Sequence, residues 1–172
     1  MERRHAVVLF NLGGPDSLAA VRPFLYNLFS DPDIFKFPLA AVTQKLFAWL
    51  ISTRRTPEAT KGYAALGGKS PLLENTQRQA QALKQALDGG FEIFICMRYW
   101  HPRAAAVVAE LQRRGFEHVV LLPLYPQYSL TTSGSSYNEF QRECERAGYH
   151  PQISFIRQWF EQPDYQRAIV ES

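Results

Sequence analysis

Cysteine is nearly missing from this sequence, charge is modest and evenly split, and no apolar run is long. Among 172 residues only two are cysteines, Cys96 inside an apolar run and Cys144 in a polar helical segment. That excludes a disulfide framework and a thiolate metal cluster, and it points to a reducing, cytoplasmic setting. Charged residues make up 20% of the chain and the formal net charge is +3. Such a balance suits an anionic ligand but lacks a concentrated Lys/Arg tract, so nucleic acid is not an expected partner. The apolar stretch behind the charged N-terminus stops at Leu12, against Gly13, Gly14 and Pro15. It is too short to span a bilayer and makes a poor signal peptide, which leaves peripheral contact as the membrane mode still open. No Glu or Cys stands at metal-ligand spacing from His101, and His5, His118 and His150 lie at polar segment boundaries. No metal site is therefore expected, and no Ser-His-Asp arrangement can be assigned.

What is present is apolar enough, at 46% hydrophobic, for one domain with a full core. Ala6 to Phe10 is a continuous apolar run, as a parallel strand covered on both faces requires. Asp16 or Ser17 can cap the helix behind it, in which Pro23 marks a bend or the true start. A second helix is expected over Leu39 to Ile51, then a short basic stretch, then a short helix opened by Pro57 and ending near Leu66. The spacing of Leu73, Thr76, Ala80, Leu83 and Leu87 predicts a long amphipathic helix closed by Gly89 and Gly90. "FEIFICMRYW" reads as a second strand, "HVVLLPLYPQ" as a third and "QISFIRQW" as a fourth. Helices opened by Pro102 and running from Ser135 to Ala147 separate them, and Asp164 to Glu171 begins a last one. Four strands with intervening helices predict an α/β fold, a Rossmann-like open parallel sheet of about four strands flanked by helices.

Right-handed crossovers place the strand C-terminal ends on one edge, where binding in such sheets concentrates. The segments there are Asn11 to Gly14, Arg98 to His101, Tyr125 to Ser136 and Trp159 to Glu161. "LLPLYPQYSLTTSGSS" is the most unusual, a strand that ends in large aromatics and then small hydroxyl residues, more than an ordinary connection needs. "NLGGP" resembles a phosphate-cradling turn but lacks the full glycine pattern of a dinucleotide fingerprint and has no following lysine. Arg54 and Arg55 read equally as solvated charges or as bidentate carboxylate ligands. "GGKSP" reads as a helix cap or as backbone donors for an anionic group. Residue types alone thus lead to a concave, aromatic-rich site with cationic and hydroxyl groups around it.

"VVLFNLGGPDSLAAVRPFLYNLFSDPDIFKFP", "RRTPEATKGYAALGGKSPL", "MRYWHP" and "LYPQYSLTTSGSSYNEF" together resemble the N-terminal half of the ferrochelatase family, in order and over essentially the whole chain. The resemblance implies two similar Rossmann-like domains with a porphyrin cleft between them. Residues 1–172 would be the first domain, and the second, with the family's catalytic histidine and its partnering glutamate, would be absent. It implies insertion of ferrous iron into protoporphyrin IX to form protohaem, with Fe2+ and the porphyrin as substrates and no cofactor. Arg55, Tyr63 and Ser70 fall where the family contacts porphyrin, and Leu12 and Arg98 fall at the cleft's strand ends. Tyr125 and the loop with Ser129, Thr131 and Thr132 would form floor and wall. No catalytic residue and no metal ligand maps onto this chain, so the chain alone is expected to be inactive. Leu130 stands where iron-sulfur-containing animal members carry a cluster cysteine, which implies a bacterial-type enzyme without a cluster. The competing expectation is a standalone tetrapyrrole-binding or interaction module without chelatase activity.

Overall fold

The computed structural model describes residues 5–35, 40–87 and 89–171. The apolar runs become β1 (His5–Asn11), β2 (Phe91–Met97) and β3 (His118–Pro123), with the shorter β4 (Gln152–Phe155) beside them. All pairings are parallel, in the order β2-β1-β3-β4. His5 pairs with Phe91 on one side and with His118 on the other. β1 is buried along almost its whole length because it is central and helices cover both faces. Ala6, Val8 and Phe10 pack into one core with Val107, Leu111, Phe116 and Phe140. A second cluster, Val21, Phe24, Leu25 and Tyr99, lies among the segments that follow β1 and β2. The expected α/β sheet is what forms.

Several boundaries differ from those expected. Neither Asp16 nor Ser17 caps a helix; a 3-10 turn at Leu18–Ala20 leads into α1 (Val21–Phe29), with Pro23 in the first turn, where a missing N–H costs no intrahelical bond. The two helices expected around Pro57 are one, α2 (Ala40–Ala65), with Pro57 inside it. In the turns before Pro57, Thr53 Oγ1 donates back to Trp49 O (2.7 Å) and Thr56 Oγ1 to Ser52 O (2.6 Å), bonds of a kind that bends a helix. α3 (Leu72–Ala86) stands as expected. β2 stops at Met97, whose N–H donates to the Pro102 carbonyl (2.7 Å), so that Pro102 belongs to a turn and α4 (Ala104–Arg113) begins beyond it. α5 (Ser135–Ala147) ends on Gly148 at φ 62°, the left-handed cap its sequence announces. α6 is Pro163–Glu171. No helix among the described residues is long and apolar enough to cross a membrane.

β1 continues through α1, α2 and α3 to β2 on one flank, while β3 continues through α5 to β4 on the other. The chain therefore diverges between the C-terminal ends of β1 and β3, the switch point at which open α/β sheets form a crevice.

Candidate functional site

On the β1 side of that crevice the backbone is held close by small residues. Gly13 has φ 83°, and a Cβ there would stand 2.9 Å from the Trp100 nitrogen. A Cβ on Gly14 would stand 2.4 Å from Ser70 Oγ, so both glycines serve close packing. Ser70 N donates to the Pro15 carbonyl (2.8 Å) and Ser70 Oγ accepts from Leu72 N (3.2 Å). The "GGKSP" segment thus acts as a cap and a strap, with its Ser70 donor engaged inside the fold. Leu12 and Tyr63 pack, together with Trp100, against the Val21–Phe24–Leu25–Tyr99 cluster. Burial pushes the Tyr63 hydroxyl up, keeping it a neutral phenol. Arg55 lies on the exposed surface of α2, held only by a 3.4 Å contact with Glu58 one turn on. Such a pair is weak, and the guanidinium remains accessible.

On the β3 side, Leu124 N donates to the Phe10 carbonyl (2.9 Å) before the chain enters Tyr125 and the hydroxyl loop. Ser129 caps a short π-helical turn, Leu130–Gly134: its Oγ accepts from Thr131 N (3.3 Å) and lies 3.0 Å from Thr131 Oγ1. Gly134 N donates to Ser129 O (2.9 Å), closing the turn. A side chain at Gly134 would meet the Tyr128 hydroxyl at 3.0 Å. Leu130 is 70% exposed and Thr131 is also exposed, while Thr132 is half-buried. The loop thus offers one greasy crest flanked by hydroxyls. The Tyr125 and Ser136 hydroxyls are buried near each other, and that of Ser133 is buried as well. Burial pushes Tyr125 far up, so it stays protonated.

Arg98 is placed differently from the other expected site residues. It is 5% exposed and enclosed by acids: Nη2 lies 2.8 Å from Asp31 Oδ1 and Nη1 lies 3.0 Å from Glu139 Oε2. Its Nε donates to Ser135 Oγ (2.5 Å), which donates to Asp31 Oδ2 (2.5 Å). Tyr99 Oη donates to that same Asp31 oxygen (2.6 Å), and Arg103 Nη2 reaches Glu139 Oε1 at 2.6 Å. Burial raises the Asp31 pKa, but the Ser135 and Tyr99 hydroxyls and the Arg98 guanidinium outweigh it and hold the carboxyl below its ordinary value. The same burial, with the Asp31 bond, drives the Tyr99 phenol strongly up. This network ties the segment after α1, the end of β2 and the first turn of α5 into one unit, directly behind the hydroxyl loop. Sequence reasoning included Tyr99 and Ser135 only as members of edge segments and missed Asp31 and Glu139. The available signal was an arginine directly after a buried strand, which must find carboxylates, though nothing in the spacing says which.

The structure therefore brings Leu12, Tyr63 and Ser70 together at the β1 exit, sets Tyr125, Ser129, Thr131 and Thr132 at the β3 exit, leaves Arg55 on the α2 surface and encloses Arg98 behind them. His101 is exposed, with its ring against Trp100. Among the described residues no group of three or more His, Cys, Asp and Glu side chains could hold a metal.

Residues 4–172 match the family profile described as Ferrochelatase. The chain is 44% identical over 171 residues to the ferrochelatase of Geotalea daltonii, covering 99% of this chain and 53% of that protein. It is 45% identical over 169 residues to that of Aquifex aeolicus, covering 98% and 53%, and 45% identical over 173 residues to that of Synechococcus sp. strain WH7803, covering 98% and 44%. The chain spans about half the length of the curated relatives it matches. A parallel sheet with an aromatic and hydroxyl-rich switch-point edge, and a match running through all of its elements, lead to one conclusion: this chain belongs to the ferrochelatase family.

Proposed function

We propose that this chain forms one wall of the porphyrin cleft of a ferrochelatase, which inserts ferrous iron into protoporphyrin IX to give protohaem. The observation that carries the reading is the switch-point edge, where aliphatic, aromatic and hydroxyl groups lie on either side of the divergence between β1 and β3. A flat macrocycle needs apolar surface for its faces, which Leu12, Tyr63 and Leu130 supply, and polar groups for its rim, which Ser129, Thr131 and Thr132 supply. Arg55, loosely held by Glu58, swings to a propionate without breaking a buried bond. Arg98 acts at one remove, fixing the α5 end of the loop through Ser135.

Porphyrin and ferrous iron are the substrates in this reading, and a second domain completes the cleft. Insertion requires two pyrrole N–H protons to leave and iron to shed water. Tyr125 and Tyr63, both raised by burial, are not the bases for those protons. These residues bind and orient; proton removal falls to groups on the other wall. Two free, buried cysteines suit a cytoplasmic setting, with membrane contact confined to the periphery. The test is a titration of the chain with protoporphyrin IX followed in the Soret band, for wild type and Leu130→Asp. Binding that the charged crest weakens supports the reading; absence of any Soret change with wild type overturns it.

A further inference from the structure

Arg157 lies just past β4, exposed, with its guanidinium carbon 4.6 Å from the centre of the Tyr128 ring. The backbone is pinned on either side of it. Ile156 N donates to Leu121 O (3.0 Å), Trp159 N to Pro126 O (2.9 Å) and Trp159 Nε1 to Pro123 O (2.7 Å). Tyr128, the ring beneath it, is seated against Gly134 of the hydroxyl loop. Arg157 is therefore a preorganised cation on the same edge as Tyr125 and Ser129.

Among the described residues no carboxylate pairs with Arg157, whereas Arg55, Arg98, Arg103, Arg142 and Arg167 each have one. Among the described residues Arg22, Arg54 and Arg78 likewise have no ion pair, but they stand on helices α1, α2 and α3 and not at a strand exit. Stacking on an aromatic face fixes the guanidinium plane while leaving its N–H edge free for a planar, bidentate acceptor. A side chain already ordered in this way loses less entropy when it meets a ligand.

We propose that Arg157 contacts a carboxylate of the tetrapyrrole from the β3–β4 side of the crevice. This deepens the porphyrin reading and rests on it. The experiment titrates the 172-residue chain, as wild type, Arg157→Lys and Arg157→Ala, with protoporphyrin IX and with its dimethyl ester, followed by Soret absorbance. Loss of a charge-assisted bond at an exposed site predicts that Arg157→Ala binds the diacid roughly tenfold more weakly. The diester should bind wild type and Arg157→Ala alike. Arg157→Lys should fall between, since an ammonium keeps the charge but loses the fork and the stack. Equal diacid affinity in wild type and Arg157→Ala overturns the assignment and leaves the porphyrin reading standing. Equal loss for diacid and diester also overturns it, since Arg157 would then serve the loop through Tyr128. Failure of wild type to bind either compound overturns the porphyrin reading and the assignment with it.

Discussion

At the scale of single residues, Arg98 and Arg55 show how differently one side-chain type behaves with burial. Arg98 is enclosed with Asp31, Glu139 and Ser135, so removing it leaves Asp31 buried with hydroxyl donors but no close counter-ion, while Glu139 keeps Arg103. Arg98→Met should lower unfolding stability by about 3–5 kcal/mol, the usual cost of breaking one side of a buried pair, measured by urea denaturation at neutral pH. Arg55, exposed beside Glu58, should change stability by less than about 0.5 kcal/mol on replacement by alanine. Its loss should instead weaken protoporphyrin binding, and do so for the diacid but not the diester. Asp31 adds a pH signature. Its carboxyl is held low in the folded state, so its stabilisation is present above the unfolded carboxylate value of about 4 and is lost as pH falls from there through the folded value. Urea midpoints of wild type should therefore drop on acidification through that range, and those of Asp31→Asn, lower at neutral pH, should drop less steeply.

At the scale of elements, legibility followed the range of the forces involved. β1 and the α5 terminus could be read because continuous hydrophobicity and a left-handed glycine are local signals. α2 could not be read as one helix, because a proline normally ends a helix and nothing in the local sequence marks this one as an exception. Pro57→Ala restores a backbone donor inside α2. It should raise stability by about 1–2 kcal/mol, since the helix-interior penalty exceeds the unfolded-state entropy that proline removes. A fall in the denaturation midpoint would mean that Pro57 ends one helix and starts another. The edge segments of the candidate site were legible as a set because topology alone sends them to one side. The buried network was not, since its partners come from segments far apart in the chain, such as Asp31 and Ser135.

At the scale of the whole molecule, an apolar surface stands out on α2. Leu46, Trp49 and Leu50 are 65%, 51% and 59% exposed, and their spacing puts them on one helical face. Phe35 is not part of it, since its ring packs against Phe29 and Phe47. A contiguous patch of this kind favours association. Sedimentation of the chain should show concentration-dependent self-association that Trp49→Lys reduces, and a strict monomer at every concentration would mean the patch is too small to act. Assayed anaerobically, the 172-residue chain should show negligible iron insertion, since a positioned proton-transfer group is typically worth about 10²–10⁴-fold and the proposed reading assigns it to the second domain. Turnover comparable with a full-length ferrochelatase would place such groups within it.

The central position of β1 also has a cost in time. His5 must wait for Phe91 and then for His118 before both edges of its strand are paired. At ordinary synthesis rates that interval is on the order of ten seconds. For most of it, until β2 has been made, "AVVLF" stands as an unpaired, uncharged, strand-forming segment. The strand that ends up most protected in the finished sheet is thus the one that waits longest for its full set of partners while the chain is being made.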